Sequence, residues 1–224
     1  MKGISIVGKN YNDTVLYLAE IIKCLDIKPV IRDMTRKHEL YSSIPKVEGI
    51  NPADAVVDYH GIGYTFGERN GRKHDGEEDY LQYIRLYDYD MRPPEEDNIL
   101  IVTNEEKYVA DCLNMLQYLE NEKEKAGLTR GKRLFLLKDY TGVIKDQFNS
   151  MLTNLGIEHS YCIPYSLQNA KCAVLAEYKA KFKFSGISNP YKDALRDIID
   201  SFYGNISEKK RAEALKQAMK GGIG

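Results

Sequence analysis

The sequence predicts an α/β fold, a mostly parallel sheet with helices on both faces. Three observations predict it. Short apolar, β-branched runs alternate with longer stretches whose apolar residues recur at helical spacing. The runs are near-continuously apolar, as expected of strands buried on both faces. Several of them stop abruptly at an acid or at Gly, Asn or Pro, the punctuation of a strand entering a loop.

Ile4 to Val7 is the first strand, and Thr14 to Leu25 follows as a helix with Val15, Leu18, Ile21, Ile22 and Leu25 at helical spacing. Lys28 to Arg32, around Pro29-Val30-Ile31, is a second strand ending at Asp33. Ala55-Val56-Val57 is a third, ending at Asp58. Asn98 to Thr103, with Ile99-Leu100-Ile101-Val102 at its centre, is a fourth, and it passes directly into a helix over Glu105 to Glu120. Arg133 to Lys138 opens another unit whose helix runs from about Gly142 to Leu155 and stops before Gly156. His159 to Ile163 is the last short strand, closed by Pro164.

Residues 59–96 read differently. They hold Gly61, Gly63, Gly67, Gly71 and Gly76 and a charged run, and so predict an irregular insertion. Within it, Tyr80 to Asp90 alternates through Leu81, Tyr83, Arg85, Tyr87 and Tyr89 and reads as an added edge strand. One α/β domain over residues 1–204 is expected, followed by a C-terminal helix and tail over 205–224. Ser207 caps that helix, which carries Ala212, Leu215, Ala218 and Met219 on one side and runs through Lys220 to Gly221-Gly222. Its apolar residues are too small for stable membrane binding alone, so packing on the domain or a partner is expected.

The 224 residues carry a formal net charge of −1, which supplies no basic field for nucleic acid or an anionic membrane. Membrane contact without a partner is not expected. Cys24, Cys112, Cys162 and Cys172 are widely spaced in apolar segments and read as free buried thiols. No signal-peptide pattern or membrane-spanning apolar run is present, so a soluble cytoplasmic protein is expected. The 17 tyrosines are spread along the chain and specify no interface.

In an open α/β sheet, ligands bind beyond the carboxyl ends of the strands. The first such segment, Gly8-Lys9-Asn10-Tyr11-Asn12-Asp13-Thr14, stands where many α/β proteins carry a phosphate cradle. Such a cradle wraps phosphates in backbone N–H groups, needs glycines for close approach, and adds a lysine and a Ser/Thr for Mg²⁺. Here Asn10, Tyr11 and Asn12 stand at the interior glycines, and the acid Asp13 stands where the lysine belongs. Asp13 also reads as a helix N-cap. Asp58-Tyr59-His60-Gly61 has the form of a Mg²⁺-organising acid followed by a switch glycine, and Asp33 is placed to orient an attacking water. Strand-end acids equally serve as caps and turn formers, and of the four histidines only His60 lies at a strand end.

The order of these features resembles the ParA/MinD family of deviant Walker-A ATPases, within the signal-recognition and partitioning class of P-loop proteins. Gly8-Lys9 matches the opening glycine and signature lysine, Thr14 the Mg²⁺-binding hydroxyl, Asp33 the second-strand acid and Asp58 the Walker-B acid. Downstream, Arg133 to Asp139 resembles the strand whose end approaches the base, with Lys138-Asp139 in place of the usual asparagine. Cys162-Ile163-Pro164-Tyr165 resembles the element lining the adenine pocket. Leu167 to Glu177, Ser188-Asn189-Pro190-Tyr191 and the helix Lys192 to Tyr203 resemble the closing segment.

The resemblance implies a P-loop NTPase-like architecture with catalytic Asp33 and Asp58 and Mg²⁺ on Thr14 and Asp58. It implies ATP contacts from Gly8, Lys9, Asn10, Asn12, Thr14, Lys138, Asp139 and Pro164. It also implies a homodimer in which Lys9 reaches the partner's nucleotide. Three departures from the family pattern stand out, the lost glycines and lysine, the spacing of about 25 residues between Asp33 and Asp58, and Lys138-Asp139 itself, and the missing lysine weighs against hydrolysis. Phosphoryl transfer depends on electrostatic positioning, so an acid in place of a cation removes the main contribution. The expected function is that of a pseudo-ATPase scaffold in the TadZ/CpaE-like style, with protein partners in a secretion, pilus or partitioning apparatus. The alternatives are an atypical ATP-dependent dimerisation switch and a small-molecule domain holding a metal on Asp33 and Asp58.

Overall fold

The computed structural model describes residues 3–9, 11–38, 40, 56–66, 81–88, 90–91, 93–94, 97–103, 111–112, 114–115, 117, 131–140, 152–179 and 182–223. Along them run β1 (Ile4–Gly8), α1 (Asn12–Cys24), β2 (Lys28–Asp33), β3 (Val57–Tyr59), β4 (Ile62–Phe66), β5 (Leu81–Tyr87) and β6 (Asn98–Thr103). They continue as β7 (Arg133–Tyr140), β8 (His159–Pro164), α2 (Leu167–Lys179), β9 (Phe182–Lys183), α3 (Asn189–Phe202), α4 (Glu208–Lys220) and β10 (Gly222–Ile223). Most of the helices expected over 105–120 and 142–155 lies outside the described residues; Asp111, Cys112, Asn114, Met115 and Gln117 are helical, and a helix end at residues 152–154 stops before Gly156 at φ +74.

Eight strands form one sheet in the order β3-β4-β2-β5-β1-β6-β7-β8. All its pairings are parallel except the antiparallel β3–β4 edge. Strand side chains alternate between faces, so parity decides the layer each one enters. Ile4, Ile6, Leu100, Val102, Leu134 and Leu136 face the core shared with α1, α2, α3 and α4. Val7, Ile99, Ile101, Phe135 and Leu137 face the other core, with Cys112, Met115 and Leu152.

α1 is buried continuously from Asn12 to Ile22. A helix buried all round needs cover on its outer side as well as on the sheet side. The cover includes α4, which packs on α1 through Ala214 and Ala218. Ser207 caps α4 by accepting from the Lys210 amide, as the sequence leads one to expect. Beyond α4, β10 pairs antiparallel with β9. Cys24, Cys112, Cys162 and Cys172 are free thiols. Among the described residues no helix is long and apolar enough to cross a membrane.

Two expectations are corrected. The stretch 59–96 contributes β4 and β5 to the sheet, so it is not wholly an irregular insertion. β5 is no edge strand; it lies between β2 and β1. Its polar residues are satisfied internally, which is why their alternation does not mark solvent. Arg85 Nη1 donates to Asp97 Oδ2 at 2.7 Å, and the Arg32 guanidinium lies 4.8 Å from the centre of the Tyr83 ring. Ser5 Oγ donates to the same Asp97 oxygen at 2.8 Å.

Candidate functional site around the first helix

β1 ends at Gly8, whose φ of +153° is open to glycine, and the Lys9 amide donates to Val102 O at 3.3 Å. Helix α1 begins at Asn12, so only Lys9, Asn10 and Tyr11 connect strand to helix. Asn10 lies outside the described residues. Tyr11 occupies the N-cap position with no side-chain cap, and its ring is buried in the α1-face core. A tyrosine ring thus goes into the core where a phosphate cradle keeps glycine. Asn12 is also buried, with its Oδ1 lacking a hydrogen-bond partner.

Asp13 does not cap the helix, as its sequence position suggested. It lies in the first turn with its side chain turned inward, and Lys138 Nζ donates to its Oδ1 at 2.6 Å. Both side chains are buried, 2% and 8% exposed. Lys138 arrives there by parity. It follows Leu134 and Leu136 on the α1 face of β7, so it reaches that face at the carboxyl end of the sheet.

The second Asp13 oxygen accepts from Tyr191 Oη at 2.9 Å, and Thr14 Oγ1 lies 2.5 Å from the same hydroxyl. With the phenol proton directed to the carboxylate, the threonine is the donor of the shorter contact. Tyr191 comes from the first turn of α3, fully buried, and its ring stands 6.0 Å from Lys138 Nζ and edge-on to Tyr17. Burial first, and the Asp13 charge second, push the Tyr191 phenol well above its ordinary pKa, so it remains a proton donor. Asp139 follows Lys138 at φ +55°.

Asp33 ends β2 two strands from β1, level with Leu86 and thus with Ile6. Thr35 N and Thr35 Oγ1 donate to its Oδ1 at 2.9 and 2.5 Å, and Leu40 N to its Oδ2 at 3.3 Å. Burial raises its pKa, opposed by those bonds and by His38, whose Nδ1 is 3.9 Å away. Both oxygens accept from the segment that follows β2.

Asp58 is a correction. It lies on β3, the antiparallel edge, in register with Gly63, which is level with Val30 and Tyr83. That register puts it at the amino end of the sheet, four strand spacings or about 19 Å from β1. His60 and Gly61, both at positive φ (+55° and +78°), form a two-residue hairpin turn, and Asp58 Oδ1 accepts from the Gly61 amide at 3.0 Å. The glycine read as a switch is the turn residue that such a hairpin requires. Asp33 and Asp58 therefore do not share a metal, and among the described residues no group of three or more His, Cys, Asp or Glu side chains is placed to hold one.

Pro164 ends β8 at the opposite edge, exposed and separated from β1 by β6 and β7. Of the sequence candidates, the fold brings together Gly8, Lys9, Asn12, Thr14 and Lys138-Asp139 at the ends of β1 and β7. It leaves Asp58 and Pro164 outside that group. Two residues escaped the sequence reading. Tyr191 was seen only as part of a closing segment. Asp88 follows Tyr87, which pairs with Val7, so it is the strand-end acid level with Gly8, and its Oδ2 accepts from the Arg36 amide at 3.2 Å. Reading β5 as central would have exposed Asp88.

These residues do not fit Mg²⁺-ATP. A carboxylate stands in the first turn of α1, Tyr11 sends its ring into the core in place of a glycine, and the Thr14 hydroxyl is engaged with Tyr191.

No protein-family model matches the sequence, and no curated protein matches it. Solved structures do. A protein of Borrelia burgdorferi B31 described as a plasmid partition protein, with AMPPNP bound, is similar at 10% identity, over 92% of this chain and 100% of that one, with a TM-score of 0.55. A ParA family ATPase from Chlorobium tepidum is similar at 12% identity over 98% and 99% of the two chains, with a TM-score of 0.46. The MinC:MinD cell division complex of Aquifex aeolicus matches at 13% identity over 99% and 98%, again at 0.46. The likeness to the Borrelia protein shows the fold expected from the sequence, a mostly parallel sheet with helices on both faces.

Proposed function

We propose that this chain is a ParA/MinD-like pseudo-ATPase, a cytoplasmic scaffold that places or assembles a secretion, pilus or partitioning apparatus through protein partners. One observation supports the reading: Lys138, Asp13, Tyr191 and Thr14 join in a buried hydrogen-bonded network at the start of α1, where the resemblance would have phosphates sit. The partition role described for the Borrelia protein of the same fold supports the choice of apparatus.

An ATP-dependent dimerisation switch is the second reading. It draws on the AMPPNP bound to that same protein and on the exposed position of Lys9 beside the end of β1. Calorimetric titration of the purified protein with ATP and ADP, with and without Mg²⁺, separates the two. The scaffold reading expects no binding at millimolar nucleotide. Micromolar binding, with nucleotide-dependent dimerisation that Lys9→Ala abolishes, overturns it in favour of the switch.

A further inference from the structure

We infer that the outer face of α2 is the docking surface for an amphipathic helix of a partner protein, one that sets acidic residues beside its apolar stripe. The inference rests on the scaffold reading, to which it adds the face and the chemistry of the partner. Among the described residues the exposed large apolar side chains are Tyr165, Leu167, Val174 and Leu175, between 44% and 62% exposed, and all four lie at the start of α2 or along it. Asn169, Cys172 and Ala176 turn the other side of the helix into the protein. α2 is thus apolar outward as well as inward, where a surface helix ordinarily keeps its outer face polar.

Leu167 and Val174 are seven residues apart and so point within about 20° of each other. Lys171 stands between them, and Leu175 follows it one turn on. The result is an apolar stripe along just over two helical turns with a cation at its middle. Lys183, exposed on β9 against which α2 packs, adds a second cation. Neither lysine makes an ion pair among the described residues, and the one acid of α2, Glu177, comes after the stripe. Charge complementarity therefore calls for carboxylates on the occupant, and a stripe of this length matches one face of a docked helix.

Two other occupants fit less well. A second copy related by a two-fold axis through the middle of the stripe sets Lys171 against Lys171, and a stable dimer buries about 800 Å² per partner, more than these few side chains offer. An anionic lipid surface gains only about 1 kcal/mol from each lysine.

The test is fluorescence anisotropy with two synthetic helical peptides that share one leucine stripe, flanked by glutamates in the first and by lysines in the second. The unchanged protein is expected to bind the glutamate peptide at least about tenfold more tightly than the lysine peptide. Leu167→Ser with Val174→Ser, both at exposed positions, is expected to weaken that binding about tenfold, and Lys171→Glu to reduce the preference between the peptides.

Binding of neither peptide, equal binding of both, or binding that the double variant leaves unchanged overturns the inference. So does a dimer in sedimentation that the double variant dissociates, or capture of the unchanged protein but not of the double variant by anionic phospholipid vesicles. ATP binding by the unchanged protein defeats the scaffold reading. Peptide-blindness of a protein that does not bind ATP defeats this inference alone.

Discussion

Lys138 and Asp13 are 125 residues apart in sequence and 2.6 Å apart in space. Their contact ties the end of β7 to the first turn of α1, and Tyr191 joins α3 to the same point. A strand and two helices from distant parts of the chain thereby meet at one buried, hydrogen-bonded ion pair.

Removing one partner of the pair is expected to cost far more than removing both. Asp13→Ala leaves a buried cation and should destabilise by about 3–5 kcal/mol, whereas Asp13→Leu with Lys138→Met should recover most of that loss. Urea denaturation of the single and double variants measures the coupling. Equal and additive losses would mean that the charges are hydrated.

Tyr191→Phe keeps the ring against Tyr17 and removes only the hydroxyl, leaving one Asp13 oxygen and Thr14 Oγ1 without their partner. A loss of about 1–3 kcal/mol is expected. Thr14→Val should cost less, because the Asp13–Tyr191 bond survives. The same denaturation experiment ranks the two.

Asp33 gives a pH signature. A carboxyl whose folded pKa is raised above its unfolded value of 3.8 holds its proton more tightly in the native state. Its contribution favours folding below that value and is lost as pH rises through the folded pKa. The melting midpoint of Asp33→Asn relative to the unchanged protein should therefore climb as pH rises above 3.8 and level off beyond the raised pKa. A constant difference across that window would show that Asp33 titrates normally.

Asp58→Ala should be nearly silent. The side chain is exposed on the edge hairpin and accepts only the turn amide of Gly61, so a change within about 0.5 kcal/mol is expected. Nucleotide titrations should match those of the unchanged protein. A large effect on nucleotide binding would mean that the edge hairpin reaches the β1 loop.

Ala218→Glu probes the seating of α4 on α1. Ala218 is fully buried there, and a carboxylate at this place should cost more than about 2 kcal/mol and loosen α4, seen as faster amide exchange along α1.

The sheet was legible because strands buried on both faces read as near-continuous apolar runs, and Ile6-Val7, Ile99 to Val102 and Leu134 to Leu137 are such runs in the local sequence. The acid in the first turn was legible too, since Asp13 and Thr14 are adjacent to β1 in the chain. β5 was misplaced because its Arg85 finds Asp97 inside the fold, which local alternation does not reveal. Asp58 was misassigned because strand direction is not written in composition. A two-residue turn at His60-Gly61 reverses the chain and sends a strand-end acid to the amino edge.

The sequence by itself determined the layered α/β architecture and the loss of the glycines and lysine of a phosphate cradle, because burial periodicity and loop chemistry act over a few neighbouring residues. Only the tertiary structure decided what replaced them. Lys138 and Tyr191 reach Asp13 from strands and helices far along the chain, and such a meeting is set by strand order, face parity and packing rather than by any local pattern.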